Sequence, residues 1–407
     1  MKVLIVNASD TKGGAAVIAY RLLCALNAYG KGVQAKMLVA EKHSDNEAVV
    51  ALPRRWWLKK ALDRAVVWAA NGFTKRNLWL TDGGFFGTDI TTRKEFKEAD
   101  VIHLHWVNQG FLGLKDIEKI LQSGKKVVWT MHDLWAITGG CHIPSKCERY
   151  SDAACEACPL LKKDLLAKAF RRKRAMFQAA KNLQFVAVSH WVKACFDRSA
   201  LVKDLGLRCN VINNPMPVEQ FAYERKPRKS NEIVLTMGAA RLDDPVKGFP
   251  LLIEALEECA KNERFGKRLR LILYGDIRNK TLLDRLTVPY IYKGVLTQKE
   301  VAEVFLESDV VLSCSEYETF GATLAEGIAS GCLAVTRGTG GQRDVVEHKK
   351  TGYVVEEAEP FANGILWAAN QIDADFSLEK RKALHEEMQK RLSSEVIIQQ
   401  YLSICKQ

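Results

Sequence analysis

Two α/β domains of the doubly wound, parallel-sheet kind, facing each other across a cleft, are the architecture this sequence predicts. Three observations carry it. The chain has 407 residues, more than one hydrophobic core usually serves, since domains commonly hold roughly 100–200 residues. Short apolar runs alternate with stretches of helical period along most of its length, the pattern of strands buried on both faces and covered by helices. The alternation breaks once, at Asn213-Asn214-Pro215-Met216-Pro217, because two closely spaced prolines can neither continue a helix nor donate to a central ladder.

In chain order the first series reads KVLIV, a helix from Ala15 with Ile18, Ala19, Leu22 and Leu26 on its apolar face, then VQAKMLVA, VIHLH, KVVWTMH, QFVAVS and NVIN. This gives residues 1–214 as a Rossmann-like domain with a cysteine-rich loop at 139–159. The second series reads IVLTMGA, helix FPLLIEALEECA, LRLILYG, helix VAEVFLE, DVVLSCS, helix ATLAEGIA, LAVT and GYVV, giving 215–375 as a second such domain. Residues 376–407 read as helix only, able to cross back to the first domain. Parallel sheets of this kind bind ligands where strand ends pass into helix N-termini.

Composition narrows the function. With 47% apolar and 27% charged residues the chain is a folded, globular one. The N-terminus MKVLIVNAS runs straight into Asp10 and Lys12, which reads as no signal peptide. The longest uncharged apolar run of the first hundred residues, Ala65 to Thr74, is about half of the roughly 20 residues that span a membrane. A cytoplasmic protein is expected, at most peripheral on the inner face of the membrane. Eleven cysteines then read as reduced thiols, some of them available to metal. A net charge of +12 calls for an anionic partner: nucleic acid, an acidic membrane surface or a phosphorylated ligand. No zinc-finger, RRM, KH or helix-turn-helix signature accompanies the charge, so nucleic acid is not expected.

The candidate site begins after the first strand, where Gly13 and Gly14 open a helix; glycines there admit a phosphate or sugar close to the backbone, or simply make a tight turn. The pattern is neither GxGxxG nor GxxxxGK[ST], which disfavours nicotinamide enzymes and P-loop ATPases. In the second domain Arg241 and Lys247, the latter followed by Gly248, sit between a strand and a helix, a planar fork and a point charge suited to a diphosphate. Glu318 and Glu326 bracket Phe320, Gly321 and Ala322, whose backbone N–H groups would meet phosphates. Were all of that segment helical, the two carboxylates would stand roughly 12 Å apart along the axis. Glycoside hydrolysis needs about 5–9.5 Å, so the pair suits gripping different hydroxyls of one extended ligand.

The ordered set of these motifs resembles glycosyltransferase family 4, the retaining enzymes of the GT-B fold, and the segment after His132 resembles bacterial exopolysaccharide enzymes of the colanic-acid type. The matching pieces are Gly13-Gly14, Ala240-Arg241-Leu242 with Lys247-Gly248, Glu318 to Glu326, Gly340-Gly341 with Asp344, and Thr351-Gly352. Ala240 stands where the family often has glycine. The resemblance implies that Glu318 holds hydroxyls of the transferred hexose, Glu326 the ribose, and Arg241 with Lys247 the diphosphate of a nucleotide sugar. It places His132 near the reaction centre. No catalytic metal is required, and retention of anomeric configuration is implied. The acceptor implied is a saccharide, lipid-linked in surface polysaccharide synthesis. A synthase acting on a soluble acceptor and a non-catalytic nucleotide-sugar-binding protein are the alternatives.

Two features stand beside this set. Cys141, Cys147, Cys155 and Cys158 fall within 18 residues, compatible with structural zinc held by four thiolates or with four reduced thiols in a tight loop. Two basic, aromatic stretches, Arg54 to Lys60 running on into a helix and Lys162 to Arg174 with Phe170, suit either an anionic membrane surface or a partly buried helix with a solvated charged face.

Overall fold

A computed structural model describes the whole chain except residues 54–55, 76–77, 145–146, 153–154, 157, 159, 162–163, 226–230 and 407. It separates into two compact units, Met1–Asn213 with Ile397–Gln407, and Asn214–Val396.

The first unit is built on β1 (Lys2–Ser9), β2 (Gln34–Glu41), β3 (Val49–Ala51), β4 (Val101–Leu104), β5 (Lys126–Met131), β6 (Leu183–Ala187) and β7 (Arg208–Val211). They form one parallel sheet in the order β3-β2-β1-β4-β5-β6-β7. Leu4, Ile5 and Val6 in its middle are buried, as a strand covered on both faces requires. The order reverses between β1 and β4, so the loops after β1, β4 and β5 gather at the switch point where such sheets bind ligands.

The second unit carries β8 (Ile233–Arg241), β9 (Leu269–Asp276), β10 (Tyr290–Tyr292), β11 (Val310–Ser313), β12 (Leu333–Arg337) and β13 (Gly352–Val355). This parallel sheet runs β10-β9-β8-β11-β12-β13, with its switch point between β8 and β11. The three-residue strands β3 and β10 lie at sheet edges, where runs so short give no periodic signal.

The break at 213–217 coincides with the unit boundary. Met216 N donates to Leu392 O at 2.8 Å and Ser394 N to Met216 O at 3.1 Å, so the outgoing and returning passes of the chain run side by side. Residues 376–396, read from sequence as part of a separate tail, stay with the second unit: Arg381 is buried and donates to the carbonyls of Tyr223, Ser308 and Ser330. Only Ile397 onward joins the first unit. There Ile397, Ile398, Tyr401, Leu402 and Ile404, on the helix Ser394–Lys406, pack in the core with Val128, Val186 and Ile212.

Candidate functional site

In the second unit the site is assembled from the ends of β8, β11 and β12. Gly248, with φ +68°, sits where a Cβ would lie 2.1 Å from Cys314 O, and Glu316 N donates to Val246 O at 2.8 Å. These contacts bring the loop after β8 against the loop after β11. Lys247 Nζ thereby reaches Glu318 Oε1 at 2.6 Å, and Ser315 Oγ donates to the same oxygen at 2.8 Å. From the end of β12, Gly341 N donates to Glu318 O at 2.7 Å. Gln342, fully buried, is bonded to Thr336 Oγ1 and donates to Thr339 O.

The segment from Glu318 to Glu326 is not helical throughout. The helix is Ala322–Ala329, entered through Gly321 at φ +99° with no side-chain cap, a conformation that side chains other than glycine rarely adopt. Glu318 therefore lies in a loop and the axial separation of roughly 12 Å does not apply. What remains is a helix N-terminus whose first N–H groups have no intrahelical acceptor. Phe320 is buried, so its side chain belongs to the core and only its backbone can face a ligand. Glu326 sits half-buried on this helix, and its charge is felt by the buried Tyr274 hydroxyl, which burial first and Glu326 second push well above its ordinary range.

Arg241 and Lys247 are not bare cations. Arg241 Nη2 lies 3.1 Å from Asp244 Oδ2 and its Nε 3.5 Å from Asp243 Oδ1. Asp243 also accepts from the backbone N–H groups of Arg278 and Asn279. Both cations are half-exposed, where such pairs contribute little to stability and exchange readily for a better anion.

In the first unit, Gly13 takes φ +96° ahead of the helix Gly14–Tyr29, with open space where a Cβ would stand. The loops after β4 and β5 carry the polar cluster. His132 Nε2 lies 2.8 Å from His105 Nδ1, the rings nearly parallel at 19°. Asp133 Oδ2 accepts from His142 Nδ1 at 2.6 Å and from Trp106 Nε1 at 2.9 Å, and Asp133 Oδ1 accepts from Trp135 N at 2.9 Å. Burial alone would raise Asp133, but the His142 imidazole and these three donors outweigh it and hold the carboxyl below its usual range. Burial pushes His132 down to about 4, opposed by the charge of Asp133.

Sequence reasoning found His132 but missed its neighbours. His103 and His105 alternate along the end of β4, a period-two signal. Lys173 falls on the apolar stripe of the helix Leu165–Ala179 beside Phe170 and Phe177. There it is fully buried, with Nζ 2.5 Å from Trp135 O, 3.1 Å from Thr138 O and 3.4 Å from the centre of the Trp135 ring. This lysine braces the loop that follows His132-Asp133. The same packing matches the partly buried helix among the two readings of 162–174: Phe170 is core, and Arg174 Nη1 donates to the carbonyls of Ala200, Leu201 and Lys203. Lys162, Arg54 and Arg55 lie outside the described residues.

The four cysteines sense one another: burial, then the charges of Cys158, Cys155 and Cys147, push the Cys141 thiol up to about 12. Cys155 Sγ accepts from Gly139 N at 3.3 Å. Among the described residues no group of three or more His, Cys, Asp or Glu side chains is arranged to hold a metal ion, so the sulfurs gather in one loop without a coordination sphere as they stand. No described helix is long and apolar enough to cross a membrane.

With this geometry in hand, comparison with known proteins is informative. Residues 219–391 match the family described as Glycosyl transferases group 1. Among curated relatives, the putative colanic acid biosynthesis glycosyl transferase WcaC of Escherichia coli (strain K12) is 30% identical over 128 residues, 28% of this chain and 30% of that protein. The N-acetyl-alpha-D-glucosaminyl L-malate synthase of Bacillus anthracis is 27% identical over 176 residues, 40% of this chain and 41% of that protein. The matches thus span well under two thirds of either relative. Among solved structures, Anabaena HepE in complex with UDP aligns over 100% of both chains at a TM-score of 0.63 and 17% identity. WaaG, a glycosyltransferase involved in lipopolysaccharide biosynthesis, covers 97% of this chain and 98% of its own at 0.60 and 14%. The two parallel-sheet α/β units are those of the GT-B fold.

Proposed function

From the membership of residues 219–391 in the group 1 glycosyl transferases, we propose that the protein is a retaining hexosyltransferase that takes its sugar from a nucleotide diphosphate donor. The observation that carries the reading is the Lys247–Glu318 contact of 2.6 Å beside the uncapped helix N-terminus that bears Glu326. A cation, a hydroxyl-binding carboxylate and free backbone N–H groups are what a sugar diphosphate needs, and all lie within the family-matched stretch.

The chemistry follows from charge. Departure of the nucleoside diphosphate builds negative charge on its β-phosphate, which Lys247, Arg241 and the N–H groups at Gly321 and Ala322 stabilise in place, at about 1.5–3 kcal/mol for each charge-assisted bond. Donor binding replaces the Lys247–Glu318 contact: the diphosphate takes the ammonium, and Glu318 accepts from sugar hydroxyls. Glu326 takes the ribose hydroxyls. His132, on the first unit, hydrogen-bonds the transferred sugar, and Gly13-Gly14 leaves the backbone accessible to it. No catalytic metal enters this scheme. The acceptor is a saccharide, lipid-linked in surface polysaccharide synthesis, with the enzyme on the inner face of the membrane.

An exposed apolar surface supports the membrane part. All seven large apolar side chains that the described first unit exposes, Trp57, Leu58, Leu62, Trp68, Phe73, Trp79 and Leu80, fall between residues 57 and 80. Aromatic side chains beside Lys59, Lys60 and Lys75 suit an anionic lipid interface. Structural zinc on Cys141, Cys147, Cys155 and Cys158 belongs to the same proposal, supported by the gathering of four thiols in one loop; it plays no part in the chemistry.

A thermal-shift panel of UDP-, GDP-, ADP- and dTDP-sugars tests the reading, because a ligand at 100 times its dissociation constant stabilises by about 2.7 kcal/mol. One base should raise the melting temperature, with the effect lost in Glu326→Ala and Arg241→Ala, and that donor should then support sugar transfer. Stabilisation without any turnover would favour a non-catalytic nucleotide-sugar-binding protein, and turnover onto a soluble sugar alone would favour a synthase.

A further inference from the structure

His105 has no part in the scheme above, yet it is the closest polar partner that His132 has in the first unit. Its ring is buried, its Nδ1 stands 2.8 Å from His132 Nε2, and its Nε2 is buried without a hydrogen-bond partner among the described residues. On the same strand end, His103 packs its ring 4.3 Å from that of His105. His103 is itself fixed: its Nε2 lies 2.8 Å from Thr130 Oγ1, which lies 3.0 Å from Tyr401 OH. The cluster is held from the sheet and from the helix Ser394–Lys406 at once, so neither ring is free to turn away.

Two nitrogens at 2.8 Å share one proton when both rings are neutral, and burial holds both rings neutral near pH 7: His105 lies well below its ordinary value and His132 at about 4. Two arrangements are then open. If His132 donates from Nε2, the remaining proton of His105 sits on the orphaned Nε2 and leaves a buried N–H unpaired. If His105 donates from Nδ1, the orphaned atom is a lone pair. Unpaired buried N–H groups are the rarer and costlier outcome, so the second arrangement prevails. His132 must then carry its own proton on Nδ1.

We propose that His105 is a positioning residue: by donating from Nδ1 to His132 Nε2 it fixes His132 as the form protonated on Nδ1, a hydrogen-bond donor to an oxygen of the transferred sugar and not a base. The role given to His132 rests on the proposed function; the tautomer does not. A donor of fixed polarity holds that sugar oxygen in one orientation, so no ring rearrangement separates binding from transfer.

The test is nitrogen NMR of the full chain labelled with 15N-histidine, at pH 7 and without ligand, the rings assigned through His105→Phe and His132→Gln. Both His132 and His105 should carry their protons on Nδ1. In His105→Phe the His132 ring should lose that preference and show protonated Nε2, while His105→Asn, whose amide N–H can stand in for Nδ1, should restore it. With the nucleotide sugar selected by the panel above, His105→Phe should lower kcat about tenfold to a hundredfold with KM within a factor of about three, and His105→Asn should recover most of it. A wild-type His132 protonated on Nε2, or a His132 signal unchanged in His105→Phe, overturns the proposal. The expected tautomers in a protein that transfers no sugar would count for the pairing and against the function.

Discussion

Lys247 and Glu318 stand 71 positions apart in the chain and their side chains meet at 2.6 Å. The contact is half-exposed, so its worth to the fold is small, about 0.2–1 kcal/mol, while on the proposed function the two partners separate to hold the diphosphate and the sugar. Glu318→Gln should therefore lower the transfer rate by about 10²–10³-fold with the melting temperature nearly unchanged. Steady-state kinetics beside differential scanning calorimetry separates the two; a matched loss of stability and activity would make the pair structural.

Acid should weaken the first unit before the carboxylates titrate. Burial, with the neighbouring His132 charge, brings His103 down to about 3, and burial brings His132 to about 4, against about 6.5 in an unfolded chain. Between those values the unfolded chain binds more protons than the folded one, so stability is lost as pH falls from about 6.5 toward 4. The depressed carboxyl of Asp133 acts in the same direction. Urea midpoints should fall steadily across that window, and the fall should be shallower in His103→Gln.

Lys173 makes the same test in a higher pH window. Burial lowers it to about 7, partly offset by the charge of Asp82, against an ordinary value of about 10.5. The unfolded chain again holds the extra proton, so the cost of burying this group is fully present below about pH 7 and is relieved as pH rises toward 10.5. Lys173→Met removes that slope and leaves two buried carbonyls, of Trp135 and Thr138, without their donor. A net loss of about 1–3 kcal/mol is expected, read as a lower urea midpoint at pH 7.

Removing the zinc reading or establishing it needs one number. Elemental analysis of protein purified without chelator should find about one zinc per chain, released by Cys158→Ser; metal-free protein of full stability would leave four reduced thiols. Zinc binding would draw the thiols down from the raised values that burial gives Cys141 and Cys158.

Much of this fold was legible because parallel strands advertise themselves. KVLIV, LRLILYG and DVVLSCS each hold three or four consecutive apolar residues, and each became an interior strand. The edge strands β3 and β10 escaped because three residues carry no period. At the candidate site, Arg241, Lys247, Glu318 and Glu326 were singled out by residue type, spacing and a family resemblance, but the sequence could not say that Lys247 bonds Glu318, since that distance is set by Gly248 packing against Cys314. The stretch 162–174 stayed open between two readings for a different reason: composition counts charges, and only tertiary packing reveals that Lys173 points its ammonium into carbonyls and an indole face.

The helix Ser394–Lys406 gives this architecture an order in time. The sheet of the first unit leaves the ribosome ahead of the second unit, yet part of its core, Ile397 to Ile404, is translated only after the entire second unit. The early sheet must wait, with Val128 and Val186 still uncovered, while the later domain finishes folding ahead of it. Vulnerability to aggregation and to chaperone capture during synthesis should therefore concentrate in the first 213 residues, and a nascent chain halted before residue 397 should present an unfinished first domain beside a finished second one.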